Sequence, residues 1–126
     1  MTASTGMASV EAKSSVDPSG LWRNPAGTLQ VRIAERAGQL TGTIAWAAPE
    51  AIADARESGV NEPLVGTALL QDYRRTGSGR WQGRVYVPDM QATFVSNIKA
   101  KTESELDISG CILGGLLCKH QTWRRV

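Results

Sequence analysis

Apolar and polar residues alternate along most of the chain beyond residue 20, a period that is typical of β-strands with one buried face. The first clear pair covers residues 28–36 and 39–46, which a turn at Ala37-Gly38 joins into a predicted hairpin. The predicted buried face of the second strand includes Trp46. Gly42 falls on the same face, where a missing side chain lets the strand bend or another group come close.

The alternation resumes after residue 63 and continues to the C-terminus. The further predicted strands cover residues 64–74, 80–87, 92–101, 105–112 and 117–126. With the segment around Trp22 this makes eight strands, which short turns join in sequence. Such a meander leaves two unpaired edges unless its first and last strands pair. We therefore expect an all-β fold, an eight-stranded antiparallel up-and-down barrel, which encloses side chains or one small ligand.

The connection at residues 47–62 breaks the alternation. Pro49 suits a first helical turn, Glu50 follows it, and Gly59 provides a stop, so the segment predicts one short helix. The apolar face of this helix is narrow and contains Ala48, Ile52 and Ala55. Two interpretations stay open: a lid over the mouth of the barrel, and a solvated connector, which we favour.

Length and charge narrow the classes of function. The chain of 126 residues is long enough for one domain, which we place at residues 20–126. Residues 1–19 are small and polar, do not form a signal peptide pattern, and are predicted to be a flexible leader. The net charge is +2, and no cluster of Lys and Arg predicts nucleic-acid binding. The apolar runs are too short for a transmembrane segment.

The two cysteines, Cys111 and Cys118, allow three interpretations: a disulfide, a metal pair or two separate thiols. A metal site would need two further ligands, and His120 is the single histidine, so we expect no metal and no cofactor. The intervening segment contains Gly114-Gly115, which suits a hairpin. We favour a disulfide, which would stabilise the fold by roughly 2.5 kcal/mol through chain entropy. A disulfide indicates an oxidising compartment.

Two short motifs stand at the ends of the predicted barrel. Gly20-Leu21-Trp22 begins the first strand, and Arg125 lies at the end of the last. A Gly-x-Trp start and an Arg near the end resemble the calycin superfamily, to which the lipocalins belong. The resemblance implies that Trp22, Trp123 and Arg125 plug one end of the barrel. An arginine stacked on indole gains cation–π attraction, and its donors satisfy nearby carbonyl groups.

The chain also resembles a bacterial family of uncharacterised small secreted proteins with a lipocalin-like barrel. The matching segments are residues 20–22, 61–66, 81–88 and 110–126. The family implies the fold and an export route, and hence a periplasmic or secreted location, but it assigns no agreed catalytic residues. This chain departs from the family at Met90-Gln91, where a Gly usually follows the Pro-Asp turn.

Placing Cys111 opposite Cys118 sets the register of the last hairpin. Ser109 then faces His120, and Asp107 lies on the same face of the sheet. A nucleophilic triad also needs an oxyanion site and a pocket, which nothing in the sequence signals. We interpret this face as solvated and expect no catalytic residues and no enzyme activity. The opposite face, if it points inward, carries Leu106, Ile108, Gly110, Lys119, Gln121, Trp123 and Arg125.

The candidate ligand contacts are large aromatic residues towards the open end of the barrel, together with a few polar anchors. The aromatic candidates are Trp46, Tyr73, Trp81, Tyr86 and Phe94, and the polar candidates are Arg32, Arg84 and Asn97. We expect an exported, non-catalytic protein that binds a small, partly apolar or amphipathic ligand through apolar burial. The alternative is a protein-binding module, such as a periplasmic protease inhibitor or an envelope scaffold, that uses residues 1–19.

Overall fold

The computed structural model describes residues 16–112 and 117–126, and within them the chain forms a closed barrel of eight strands. The elements in chain order are β1 (Gly20–Arg23), β2 (Leu29–Arg36), β3 (Gln39–Ala47), α1 (Pro49–Glu57), β4 (Ala68–Gly77), β5 (Arg80–Val87), a 3-10 turn (Pro88–Met90), β6 (Ala92–Thr102), β7 (Glu105–Ile112) and β8 (Leu117–Arg125). Each strand pairs antiparallel with the next, and β8 pairs with β1. The predicted eight-stranded up-and-down barrel with one short helix is confirmed.

The fourth strand begins later than its apolar pattern predicts. It starts at Ala68 rather than at residue 64, because the preceding residues form a turn in which Thr67 N donates to the Leu64 carbonyl at 3.1 Å. Gly66 takes a φ of 96°, which an extended strand does not allow. Leu64 is nevertheless buried, so its apolar character reflects packing from a loop.

The barrel closes at a short seam between β1 and β8. Trp22 pairs with Arg125 and Arg23 with Arg124, and Val126 N donates to the Leu21 carbonyl at 2.9 Å. The Arg125 guanidinium carbon lies 4.3 Å from the centre of the Trp22 ring, which is fully buried. A cation over the face of an indole is attracted by the ring quadrupole. The seam therefore has few ladder bonds and one strong side-chain contact.

The Arg125 guanidinium also ties the chain before β1 to the turn between β6 and β7. Its nitrogens donate to the backbone carbonyls of Asp17 at 2.9 Å, Ser19 at 2.8 Å and Glu103 at 2.5 Å. The Trp22 indole N–H donates to the Pro18 carbonyl at 2.8 Å. Residues 17–19, which the sequence analysis placed in the leader, are thus held against this end of the barrel.

Gly20 makes room for this arrangement. A Cβ at Gly20 would lie 2.5 Å from Arg125 Nη1, and the glycine φ of 134° is one that other residues rarely adopt. This contact explains the two residue types of the Gly-x-Trp motif. Trp22 supplies the ring, and Gly20 leaves space for the guanidinium that covers it.

A β-bulge in β3 reverses the alternation near the end of that strand. The register with β2 shifts between Gln30 and Val31, so that Ala45 is one extra residue. Trp46 therefore points outward with 44% of its surface exposed, and Ala47 takes the buried position. The prediction that Trp46 lies on the buried face is wrong for this reason.

A second irregularity, in β4, brings Tyr73 into the centre of the barrel. The register with β5 shifts between Gln71 and Arg74, and Asp72 adopts a φ of 56°. Tyr73 is fully buried and lies over Gly83, where a Cβ would come within 2.6 Å of both Tyr73 Cγ and the Gln71 carbonyl oxygen. The absence of a side chain at residue 83 is what allows this tyrosine to pack inside.

The core is formed by the inward residues of the strands. Its largest fully buried members, beyond the two tryptophans Trp22 and Trp81, are Val31, Ile33, Leu40, Ile44, Leu70, Tyr73, Ile98 and Leu106. At Gly42 a Cβ would lie 2.7 Å from Leu70 Cδ1, so the predicted close approach of another group at this glycine is confirmed.

The last hairpin has the predicted register. Cys111 and Cys118 form a disulfide, and Ser109 pairs with His120. The disulfide lies on the outer face, because both cysteines are exposed while Trp123, on the opposite face of β8, is buried. The face predicted to point inward therefore does so.

Replacing Arg125 by Lys should destabilise the barrel by about 2 kcal/mol, because lysine keeps the charge but loses the planar set of donors and the stacking on Trp22. Urea unfolding measures the change. The matched control is Arg124→Lys, since Arg124 is exposed and makes one surface ion pair, with Glu105 at 2.7 Å. We expect the control to change stability by less than about 0.5 kcal/mol. Equal effects of the two changes would contradict this account of the closure.

Gly83→Ala should cost about 3 kcal/mol, because the new methyl group meets backbone and the rigid base of Tyr73 rather than a flexible side chain. Gly77→Ala is the control, since nothing lies within 4 Å of a Cβ placed there. Thermal unfolding followed by circular dichroism compares the two variants. A Gly83→Ala protein as stable as Gly77→Ala would show that Tyr73 does not pack on residue 83.

Burial raises the pKa of Tyr73 from 10.0 to about 12, and the neighbouring Ser96 hydroxyl offsets this only in part. The folded chain therefore keeps the phenol proton at pH values where the unfolded chain has released it. The stabilisation is complete below pH 10 and is lost as the pH rises towards 12, at up to about 1.4 kcal/mol per pH unit. Tyr73→Phe should flatten this part of the stability profile, whereas Tyr86→Phe should leave the steep decline in place.

Candidate functional site

The open end of the barrel is bordered by the β1–β2 turn, α1 and the 3-10 turn. The start of α1 is fixed where Ala48 N donates to the Thr28 carbonyl at 2.8 Å. Beyond its other end, Gln91 Nε2 donates to the Ser58 carbonyl at 2.5 Å. The helix is thus anchored on two sides of the mouth, and Ala55 on its inner face is buried. This position supports the lid interpretation of the helix over the solvated connector.

Gln91 performs its role from an unusual backbone conformation. Its φ of 48° is left-handed, a conformation that glycine adopts more easily than glutamine. This conformation costs free energy for a residue other than glycine. Gln91 also makes a side-chain hydrogen bond to the segment that follows α1. The 3-10 turn is thereby tied to the residue that follows α1.

Beneath the helix lies a cavity of about 470 Å³. Its apolar lining includes Leu29, Leu64, Leu69, Val85, Phe94, Ile108 and Trp123, and polar groups on its wall include Ser96, Lys119 and Gln121. Pockets for small molecules typically measure about 300–1,000 Å³ and are mostly apolar with a few polar groups. The cavity therefore has the size and composition of a site for one small molecule.

The space exists because three neighbouring strands carry small residues at one level of the interior. Gly83 pairs with Ser96, and Ser96 pairs with Gly110. Tyr73 covers Gly83, but a Cβ at Gly110 would meet its nearest atoms at 3.5 and 3.8 Å, an ordinary contact. Large residues at these positions would fill the barrel, so their small size opens the cavity towards β7.

Ser96 and Tyr73 are buried polar neighbours, and Ser96 lies on the cavity wall. Ser96 is fully buried, lines the cavity, and donates its hydroxyl proton to the Ser109 carbonyl at 2.7 Å. The Tyr73 hydroxyl next to it has no partner at hydrogen-bonding geometry within the described residues, and burial raises its pKa to about 12. Of this pair only Ser96 borders the cavity, so its uncharged hydroxyl is the group that a ligand could meet.

On β8 the polar groups follow one another along the inner face. The Trp123 indole N–H donates to Gln121 Oε1 at 2.8 Å, and Lys119 is the next inward residue towards the mouth. Gln121 and Lys119 are both exposed at the mouth, whereas Trp123 is buried. The cysteine register predicts the inner position of these residues, but no signal in the sequence marks Lys119 or Gln121 as a ligand contact.

The aromatic residues singled out from the sequence occupy three different environments. Phe94 lines the cavity, and Tyr86 lies at its rim beside the 3-10 turn. Tyr73 and Trp81 are buried in the core, where they are packed by protein. Trp46 lies on the outer surface because of the bulge in β3.

The polar candidates lie on the outer face of the barrel. Arg32 borders a shallow outer depression between β2 and β3, together with Arg36. Arg84 is exposed and pairs with Asp72 at 2.5 Å, and Asn97 is exposed on β6. None of these side chains lines the cavity beneath α1.

The three residues that could suggest a nucleophilic triad are also on the outer face. His120 is exposed, and Asp107 accepts a hydrogen bond from Thr122 at 3.1 Å and pairs with Lys101 at 3.7 Å. Ser109 contributes its backbone carbonyl to Ser96. Asp107 is thus engaged with structural neighbours.

The alternative function, protein binding through residues 1–19, depends on a segment of which residues 1–15 lie outside the described residues. No helix in the described part of the chain is long and apolar enough to cross a membrane.

Comparison with known proteins places this barrel. No curated protein sequence matches the chain. Among solved structures, the fold is similar to "Protein HP1028 from the human pathogen Helicobacter pylori belongs to the lipocalin family", with a TM-score of 0.64 and 15% sequence identity over 89% of this chain and 84% of that one. The likeness shows a lipocalin-like fold. A family model described as "Uncharacterized protein conserved in bacteria (DUF2147)" matches residues 20–125. Since this match covers most of the chain, the protein belongs to the DUF2147 family of bacterial proteins.

Proposed function

We propose that this protein binds a small, partly apolar molecule in the cavity beneath α1 and does not transform it. The observation that carries the proposal is the cavity of about 470 Å³ in the interior of a closed barrel. A lipocalin-like fold supports small-molecule binding in general, and the cavity supports a binding site beneath α1 in this chain.

The composition of the cavity determines what kind of ligand it suits. Its wall is mainly apolar, so affinity would come from burial of apolar ligand surface at about 25 cal/mol per Å². Polar residues also border it, and those that reach the ligand would orient it. The volume suits a compact molecule or one of medium length, because the core residues fill the rest of the barrel.

Two further observations support binding without catalysis in an exported protein. Ser109, His120 and Asp107 share the outer face of the last hairpin, and although Ser109 borders the cavity, His120 and Asp107 do not line it. The disulfide between Cys111 and Cys118 is typical of a protein from an oxidising compartment, such as the periplasm or the cell exterior.

Filling the cavity should abolish binding while the barrel stays folded. Val85→Trp places a large ring into the cavity, and we expect it to weaken binding of an apolar fluorescent probe such as N-phenyl-naphthylamine at least about tenfold, through loss of the buried contact area. The matched control is Val95→Trp, since Val95 is 60% exposed on the outer face of the barrel. Fluorescence titration measures both variants, and circular dichroism checks their fold.

Native mass spectrometry of the protein purified from its natural host supplies the independent check. We expect a bound small molecule that organic solvent extracts and that Val85→Trp does not retain. Deletion of residues 1–15 should leave this binding unchanged. A protein that carries no small molecule and whose probe binding ignores Val85→Trp would contradict the proposal.

A further inference from the structure

We propose that the ligand carries a carboxylate and that Lys119 and Gln121 bind this group at the mouth, with the apolar part of the ligand directed towards Trp123. The inference rests on the proposed function and specifies the chemistry of the same cavity. It comes from the polar side chains on the inner face of β8, since in the described part of the chain Lys119 has no ion-pair partner and Gln121 uses only its amide oxygen, for Trp123.

The inward residues of β8 nearer the closed end already have partners within the protein. Arg125 covers Trp22 and donates to three backbone carbonyls. Trp123 is buried and donates its indole N–H to Gln121. These side chains therefore serve the closure and the packing of the barrel.

The contact with Trp123 fixes the orientation of the Gln121 amide. An indole nitrogen donates and does not accept, so the atom facing it at 2.8 Å must be the oxygen of the glutamine. The amide nitrogen, with its two donors, then points away from Trp123. Gln121 is exposed and lines the cavity, so these donors are available to a bound molecule.

Lys119 adds a positive charge on the same wall. It pairs with Gly110, which has no side chain to compete for the space beside it. The ion pairs within residues 16–112 and 117–126 involve Arg84, Lys101, Arg124 and Arg125, and Lys119 is not among them. A charge at the edge of an apolar cavity is most stable when a group of opposite charge meets it.

Two carboxylates also border the cavity, and they do not neutralise this lysine. Asp54 lies on α1 and Asp89 on the 3-10 turn, both exposed to water, and neither is within 4.0 Å of the Lys119 nitrogen. Lys119 and Gln121 differ from them in lying on the inner face of a strand, where the alternation of β8 directs them at the ligand. A ligand with an amine would instead be attracted to the two aspartates. Compounds that differ only in the charge of the head group therefore distinguish the two arrangements.

The spacing along β8 gives the orientation. Alternate residues of a strand are about 6.7 Å apart, so Lys119 and Gln121 can both reach the oxygens of one carboxylate from the same side. Trp123 follows at the next inward position, and Ile108 lines the cavity on β7. A head group at the mouth therefore places an attached chain against the apolar wall.

Three compounds with the same chain and different head groups test the proposal: decanoate, decanol and decylamine, each below its micelle-forming concentration. Isothermal titration calorimetry with the oxidised full chain measures their affinities. We expect decanoate to bind roughly tenfold more tightly than decanol, through one charge-assisted contact, and decylamine to bind more weakly than either.

Lys119→Met should bring decanoate and decanol to within about twofold of each other while the affinity for decanol stays unchanged. The control is Lys99→Met, which makes the same change in net charge on the outer face of β6, where Lys99 is exposed, and should keep the preference. Gln121→Glu provides a second variant. It preserves the acceptor for Trp123 and should weaken decanoate and strengthen decylamine.

The outcomes separate this inference from the proposed function. Equal binding of decanoate and decanol by the unmodified protein, a preference for decylamine, or a preference for decanoate that survives Lys119→Met would overturn the head-group inference and leave the carrier function in place. Binding of none of the three compounds, with the Val85→Trp variant also indistinguishable in probe binding, would overturn both.

Discussion

The stacking of Arg125 on Trp22 is the interaction on which the rest of this structure depends. Seven of the eight strand pairings follow from chain neighbours joined by short connections or by the helical segment, but the eighth joins the two ends of the domain across a seam with two residue pairs. Since so few ladder bonds hold it, the guanidinium supplies the missing strength by stacking, by three hydrogen bonds and by excluding water from the indole. Gly20 is part of the same device, because its missing Cβ leaves the guanidinium its place. Closure also gives the barrel an inside, and only then does the alternation of each strand divide its residues between cavity and solvent.

Once the barrel is closed, the sizes of the inward side chains determine which parts of its interior are packed and which are empty. Leu70 fills the space over Gly42, and Tyr73 fills the space over Gly83, so two glycines are used to admit side chains from the neighbouring strand. Gly110 is different, because no side chain covers it in the same way and the cavity extends over it. The helix α1 then covers the opening, held by a backbone hydrogen bond at its start and by Gln91 beyond its end. The cavity therefore exists because no side chain fills the space over Gly110 beneath the anchored helix. It does not require an unusually wide barrel.

The sequence predicts this fold well and its site less well, for a definite physical reason. Strand number, helix position and the register of the last hairpin follow from the two-residue period, the turn residues and the cysteine pair. The side on which an aromatic residue lies cannot be derived from that period once a bulge intervenes. Ala45 moves Trp46 to the outside, and the left-handed Asp72 brings Tyr73 to the centre. Neither residue identifies a bulge by itself, because Ala45 has no positive φ that would require glycine, and aspartate, although enriched at positive φ, is found more often elsewhere. Phe94 differs from these residues, because its strand β6 pairs with β5 without a register shift. Its side chain lines the cavity.

The β8 strand pairs with β7 without a register shift and also carries polar groups of the cavity wall, and the two facts are connected. Along β8 the disulfide joins the outer face to β7 near the open end, while Arg125 fixes the inner face at the closed end. Every inward residue between these two points is thereby held in register, and so a lysine and a glutamine on this strand keep a defined direction although they lie near the mouth. A polar group on a mobile loop would lose both backbone and side-chain entropy on binding, whereas one on a strand fixed at both ends has already lost the backbone part. The closure that defines the inside of the barrel thus also orients the polar groups that face it.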